Sequence, residues 1–213
     1  MRSITTVAGL VIVFAITGFI GLNRQKHVAL FDGKTFKGWE GDTVNTWRIE
    51  NGSIAAGSLD KVAPHNDFIV TKKEYSNFVL RLKFKLVGKE GFVNAGVQFN
   101  SQRLKNPPYE MTGYKADLGP RYWGSLYDES RRNKTLAQPD SLLIVSLLKP
   151  DEWNDYEIRS GNARIQIFLN KQKTVDYTET DKSIPQSGHI GLQIHGGGKT
   201  MVYYKDLQLE QLP

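Results

Sequence analysis

The stretch NFVLRLKFKLV most constrains this chain. Phe78, Leu80, Leu82, Phe84 and Leu86 share one parity, and Val79, Arg81, Lys83 and Lys85 the other. Strict period-two alternation over this length predicts an antiparallel strand with one buried face. A second stretch, GFVNAGVQFNSQR, repeats the pattern. Val93, Ala95, Val97 and Phe99 point one way, and Asn94, Gly96, Gln98 and Asn100 the other. Three amides on one face, with a glycine giving close backbone access, suit either hydroxyl recognition or a solvated surface.

The remaining segments extend the pattern. TWRIENGSIAAG reads as a hairpin, because Asn51-Gly52 is a strong two-residue turn signal. EWNDYEIRSGNARIQIFLN reads as two strands around a tight turn at Ser160-Gly161-Asn162, with Ile165, Ile167 and Leu169 on one face. GHIGLQIHGGG places Ile190, Leu192 and Ile194 toward a core and His189, Gln193 and His195 away from it. The final strand puts Leu207 and Leu209 on one face, TLAQPDSLL reads as a surface excursion, and Ile144 to Leu148 as a short strand. Many short strands and frequent turns predict an all-β fold: a jelly-roll β-sandwich of two antiparallel sheets. The outer face of a curved sheet forms a groove, for which Asn94, Gln98, Gln193 and His195 are candidates.

Residues 1–22 differ in kind. Arg2 is followed by an uncharged apolar run to Leu22. It reads as an N-terminal targeting helix, either a cleaved signal peptide or an uncleaved anchor. Residues 23–27 read as a polar linker and 28–213 as the domain, exported to the periplasm or cell exterior. A membrane partner is expected only through an uncleaved N-terminal segment. The net charge is +6, and Arg2, Arg24 and Lys26 lie before the domain. With no long basic run and no nucleic-acid motif, no nucleic-acid partner is expected. The chain has no cysteine, which excludes disulfides, thiolate metal sites and a thiol nucleophile.

Between Gly113 and Arg132, GYKADLGPRYWGSLYDESRR departs from simple alternation. Tyr114, Tyr122, Trp123 and Tyr127 lie among Lys115, Asp117, Asp128, Glu129, Arg131 and Arg132. Flat rings stack on sugar faces, while carboxylates and guanidinium groups bond hydroxyls in fixed directions. The stretch reads as the wall of a polar ligand site or, more plainly, as an ion-pair cluster bracing a loop. His195 ends a strand against Gly196-Gly197-Gly198, where a backbone approaches a ligand or the ring bonds a carbonyl.

LFDGKTFKGW, NAGVQF, GYKADLG, YWGSLYDESRR, EWNDYEIR and GLQIHGG occur in an order that resembles the 3-keto-disaccharide hydrolase family, also called the 3-keto-glucoside 1,2-lyase / 3-keto-2-hydroxy-glucal hydratase domain. The resemblance spans about Val28 to Pro213. It implies a concanavalin A-like jelly roll, bacterial export and small carbohydrate substrates. Serine is expected where Ala95 stands, arginine where Asn100 stands and glutamine where Lys115 stands.

A sugar oxidised at C3 has an acidic C2 proton. Its removal allows the C1 substituent to leave, and water then adds to complete a net hydrolysis. Such a site needs a base, an acid and a stabiliser for the enolate oxygen. His195 is a candidate base, with Asp117 and Glu129 as rivals for base or acid. Arg131 and Arg132 are candidate stabilisers, as is a divalent cation held by Asp117, Asp128 or Glu129. No other cofactor is expected. Asn94, Gln98, Tyr114, Lys115, Trp123, Tyr127, Arg132 and Gln193 are candidate substrate contacts. A non-catalytic carbohydrate-binding module on the same fold is the alternative. A conventional glycoside hydrolase is disfavoured, because the E-x-D-x-x-E spacing of jelly-roll glucanases does not occur.

Overall fold

The computed structural model describes residues 27–213. The targeting segment 1–22 and the linker lie outside the described residues, except His27, which opens the first strand. The strands are β1 (His27–Ala29), β2 (Trp39–Glu40), β3 (Trp47–Glu50), β4 (Ser53–Gly57), β5 (Asp67–Ser76), β6 (Phe78–Gly91), β7 (Ala95–Arg103), β8 (Met111–Leu118), β9 (Leu126–Glu129) and β10 (Lys134–Ala137). A helix, α1 (Ser141–Leu147), precedes β11 (Asn154–Gly161), β12 (Arg164–Leu169), β13 (Gln172–Thr178), β14 (Ser187–Ile194) and β15 (Gly198–Gln211). They form two antiparallel sheets. One runs β13-β12-β11-β6-β15-β4-β3, with β1 added beside β15, and the other runs β10-β9-β8-β7-β14-β5-β2. This is the two-sheet sandwich the alternation predicts.

β6 is central to the first sheet, between β11 and β15. Phe78, Leu80, Leu82, Phe84 and Leu86 are buried in the core shared with the second sheet. On its other face Arg81 pairs with Glu157 at 2.6 Å and Glu210 at 2.9 Å, and Lys83 pairs with Asp155. That face is therefore ion-paired surface. The β3–β4 hairpin turns at Asn51-Gly52, both with positive φ (47° and 74°), as a type I′ turn requires.

Three local expectations are corrected. Residues 144–147 are helical, and Leu148 is the helix cap. The Asp140 carboxylate accepts from the backbone N–H of Leu142 at 2.8 Å and Leu143 at 3.2 Å, a side-chain cap that starts a helix where the apolar run alone suggested a strand. Ile144 and Leu147 then pack on the core while Leu142 and Val145 face solvent. The β11–β12 turn falls at Asn162-Ala163, which carry the positive φ values of 51° and 60°. Asn100 does not continue the amide face of β7. It has φ 46°, the register slips between Phe99 and Gln102, and its Nδ2 donates to Ser160 Oγ of the opposite sheet at 2.9 Å. A bulge of this kind redirects side chains within a strand.

Candidate active site

On β8 the pleat sends Tyr114, Ala116 and Leu118 into the core, and so Lys115 and Asp117 to the outer face of the seven-stranded sheet. Asp117 lies opposite Gly96 of β7, which lies opposite Gln193 of β14. Lys115 lies between Gln98 and Tyr127 of β9. Gly96 is what lets Lys115 lie down. A Cβ at position 96 would stand 2.8 Å from Lys115 Cγ and Cδ, so only glycine leaves room for that stem. Lys115 Nζ then lies 3.1 Å from Glu129 Oε2 and 3.5 Å from both Asp117 Oδ2 and Asn94 Oδ1, with the Tyr127 ring centroid at 5.4 Å. The three hydrogens of the ammonium thus meet three oxygens.

Two hydroxyls from the first sheet hold this floor from below. The single Tyr204 O–H is shared between the carbonyls of Gly96 (3.0 Å) and Gln193 (2.9 Å), and its oxygen accepts from the Gly96 N–H at 3.2 Å. Tyr156 Oη donates to the Asp117 carbonyl at 3.2 Å.

The cluster holds two carboxylates and one ammonium, all buried. Burial pushes the Asp117 carboxyl up to about 6, although Lys115 and the Asn94 amide, donating at 2.8 Å, pull the other way. Burial also disfavours the charged form of Lys115, but Asp117 and Glu129 outweigh it and keep the ammonium protonated. These directions agree. Asp117 shares the one positive charge with Glu129, so its burial is only partly offset and it takes a proton early.

His195 follows β14. Burial lowers its pKa below the ordinary 6.5, so the ring is neutral at pH 7. Its Nδ1 is 2.7 Å from the Gly196 carbonyl, which can only accept, so Nδ1 carries the proton and Nε2 keeps its lone pair. Gly196 is fixed in turn. Its N–H donates to Asn66 Oδ1 at 3.1 Å, and a Cβ there would come within 2.7 Å of the His65 backbone. Phe92 presents edge-on to the His195 ring, with centroids 4.6 Å apart.

His195, Asp117, Lys115, Glu129, Asn94, Tyr127, Phe92 and Tyr122 line one cleft of about 100 Å³. A larger depression of about 360 Å³ lies around Arg81, Glu157 and Arg159, where both guanidinium groups are already paired with the Glu157 carboxylate. The smaller cleft combines a free imidazole lone pair, a carboxyl titrating near neutrality and a fixed cation. It can move a proton and stabilise negative charge developing on oxygen.

The family model of the 3-keto-alpha-glucoside-1,2-lyase-like domain matches residues 26–210. The chain belongs to this family. No curated protein matches it. Among solved structures it is similar to a protein of Parabacteroides distasonis assigned as a glycosyl hydrolase, with 21% identity over 88% of this chain and 94% of that one, TM-score 0.63. It is also similar to the carbohydrate-binding module CBM66 of Bacillus subtilis, with 14% identity over 82% and 96% of the two chains, TM-score 0.63. A Bacillus subtilis protein with a galectin-like fold gives 12% identity over 87% and 94%, TM-score 0.63. At these identities the likenesses establish the fold.

Within this lyase-like domain, the sequence-predicted residues divide. Asn94, Lys115, Asp117, Tyr127, Glu129 and His195 meet in the cleft. Gln98 and Gln193 are fully buried, with Gln193 Nε2 donating to Glu129 at 3.4 Å. Gln98 Nε2 and Gln193 Oε1 have no partner among the described residues. The others belong elsewhere. Tyr114 is a core residue, stacked on Phe99 at 5.7 Å and donating to Glu179 at 2.7 Å. Trp123 stacks on Phe84 at 6.1 Å and packs on the core.

Asp128 lies opposite Tyr114 and shares its inward face, so it cannot join Asp117 in holding a metal. It takes Arg131 at 2.9 Å and also Arg132, which reaches Glu179 at 2.7 Å. Burial pushes the Glu179 carboxyl up, but the bonds from Arg132 and Tyr114 outweigh it and hold it at about 2. Arg131 and Arg132 therefore brace the loop and do not face the cleft.

Among the described residues no group of three or more His, Asp or Glu is placed to hold a metal ion. In the cleft the oxygens that suit a hard cation surround Lys115 Nζ, which fills that place. The site does not fit a divalent cation. Sequence reading missed Phe92, and it placed Tyr122 only among the rings of the 113–132 stretch. Phe92 shares the parity of Asn94 and Gly96, a signal available in the alternation. It also missed Glu110, whose carboxyl is pushed up by burial and accepts from Asn66 Nδ2 at 2.9 Å, beside the His195 turn.

Proposed function

We propose that this domain is a carbohydrate-active enzyme that cleaves 3-keto-glycosides by β-elimination, with hydration completing a net hydrolysis. The observation that carries this reading is the opposition, in one cleft, of a neutral His195 with its lone pair on Nε2 to the buried Lys115 ammonium. His195 Nε2 takes the C2 proton. The electrons of that bond move into the C2–C3 bond, and the C3 oxygen becomes an enolate oxygen whose negative charge the positive charge of Lys115 offsets. When the enolate collapses, the C1–O bond breaks, the C1–C2 double bond forms, and protonated Asp117 gives its proton to the departing oxygen. Water added at C1 yields the free 3-keto sugar. Glu129 and Asn94 hold the ammonium in place.

Family membership supports the 3-keto chemistry, and the fold shared with CBM66 suits a sugar ligand. Export is part of the proposal and rests on segment 1–22. Fractionation of cells expressing the full chain, with the protein recovered in the cytosol, would count against it.

The deciding experiment incubates the purified domain with a 3-keto-glucoside and its unoxidised counterpart. Aglycone release from the keto form alone, lost in His195→Gln, is expected. Binding without release would instead make this a binding module.

A further inference from the structure

The cleft does not end at its aromatic wall. Phe92 and Tyr122, edge to face with centroids 6.0 Å apart, line the cleft on one side and a second groove of about 280 Å³ on the other. Lys89, Arg121 and Pro120 help to line that groove. Among the described residues neither Lys89 nor Arg121 has a carboxylate partner. Glu90, next to Lys89 in the chain, is taken by Lys199 at 2.6 Å. Arg121 stands in a tight turn that starts two residues after Asp117, closed by the Tyr122 N–H on the Gly119 carbonyl at 2.9 Å. Its φ is 75°, and its carbonyl accepts from Gln138 Nε2 at 3.0 Å. The arrangement is a small groove with apolar walls and two uncommitted cations, sharing a wall with the cleft and beginning beside its proton donor.

We propose that this groove receives the group departing from C1, and that this group is anionic, bearing a carboxylate or a phosphate. The inference rests on the function proposed above. The cleft of about 100 Å³ holds the keto ring, so the remainder of the substrate lies beyond its rim. The leaving oxygen must sit by Asp117, which directs what it carries toward the 119–122 turn. Lys89 and Arg121 then meet a negative charge, while Pro120 and the Phe92–Tyr122 pair offer apolar contact. Opposite charges lining such a groove raise association rates and select among ligands of the same shape.

The test compares the 4-carboxyphenyl and 4-carbamoylphenyl 3-keto-glucosides, which match in shape and differ in charge. Wild-type kcat/KM is expected to favour the carboxylate by about tenfold at low salt. The preference should shrink as salt rises and should collapse in the Lys89→Ala/Arg121→Ala double variant. Equal kcat/KM for the pair, or a preference that the double variant retains, overturns the inference. A 4-phosphonophenyl arm separates a site for carboxylates from one for dianions. Failure of every keto-glucoside to react refutes the enzymatic reading instead. Calorimetric binding of the unoxidised carboxylate and carboxamide glucosides then decides the groove by itself, equal affinities overturning it.

Discussion

Replacing Lys115 with glutamine removes the one positive charge from a buried cluster and leaves Asp117 and Glu129 facing each other. Stripping one partner from a buried ion pair costs about 3–5 kcal/mol. For a domain of this size each kcal/mol shifts Tm by ~2–4 °C, so Lys115→Gln should melt about 6–20 °C below wild type at pH 8. The deficit must depend on pH. Asp117 already titrates at about 6 in the wild type, well above its ordinary 3.8, and loss of the ammonium, the strongest influence holding it down, pushes it higher. Wherever the folded state binds more protons than the unfolded one, stability falls as pH rises. The variant extends that window above pH 6, so its deficit should grow from pH 5 to pH 8 and shrink toward pH 5. Thermal melts at half-unit steps, at fixed ionic strength, measure this directly. A deficit that is flat with pH, or smaller than about 1 kcal/mol at pH 8, would refute the idea that this lysine neutralises the pair.

Asp117→Asn should abolish turnover yet match or exceed wild-type Tm at pH 8, because the raised carboxyl costs stability once it ionises above about 6; a large loss of Tm contradicts this. The pH profile of kcat/KM should be bell-shaped with a mildly acidic optimum. His195 must be neutral, which fails below its lowered pKa, and Asp117 must be protonated, which fails above about 6; a rate still rising at pH 8 argues against these roles. Chelator should leave turnover unchanged, since the charge beside the enolate oxygen is Lys115; loss of activity restored by Mn²⁺ shows otherwise. Tyr204→Phe strips a buried partner from Gly96 and should cost about 1–3 kcal/mol in denaturant titrations; an unchanged midpoint shows the hydroxyl to be idle.

The sandwich was legible because β6 buries one face, and burial writes itself into alternation. The site was half legible. Parity alone placed Asn94, Gln193 and His195 on the outer face, and the same rule applied to β8 would have separated Lys115 and Asp117 from Tyr114. The ring-and-charge density of residues 113–132 hides that parity, because it resembles a ligand wall whichever way each side chain points. Asp128 and Asp117 look alike in sequence, yet the pleat puts them on opposite sides of one sheet. Two features escaped the alternation: the bulge that turns Asn100 inward, and the Asp140 cap that makes a helix of an apolar run. The first depends on a partner, Ser160, that the tertiary fold supplies from 60 residues away; the second is a local bond, from Asp140 to the N–H groups two and three residues on, and the apolar run concealed it.

The hydroxyls of Tyr156 and Tyr204 have a consequence for anyone wishing to transplant this chemistry. They reach across the core from one sheet to grip main-chain atoms of the other, directly beneath the candidate site. A graft limited to the visible pocket would leave its foundations behind. The two tyrosines, and the strands that aim them, would have to travel with it.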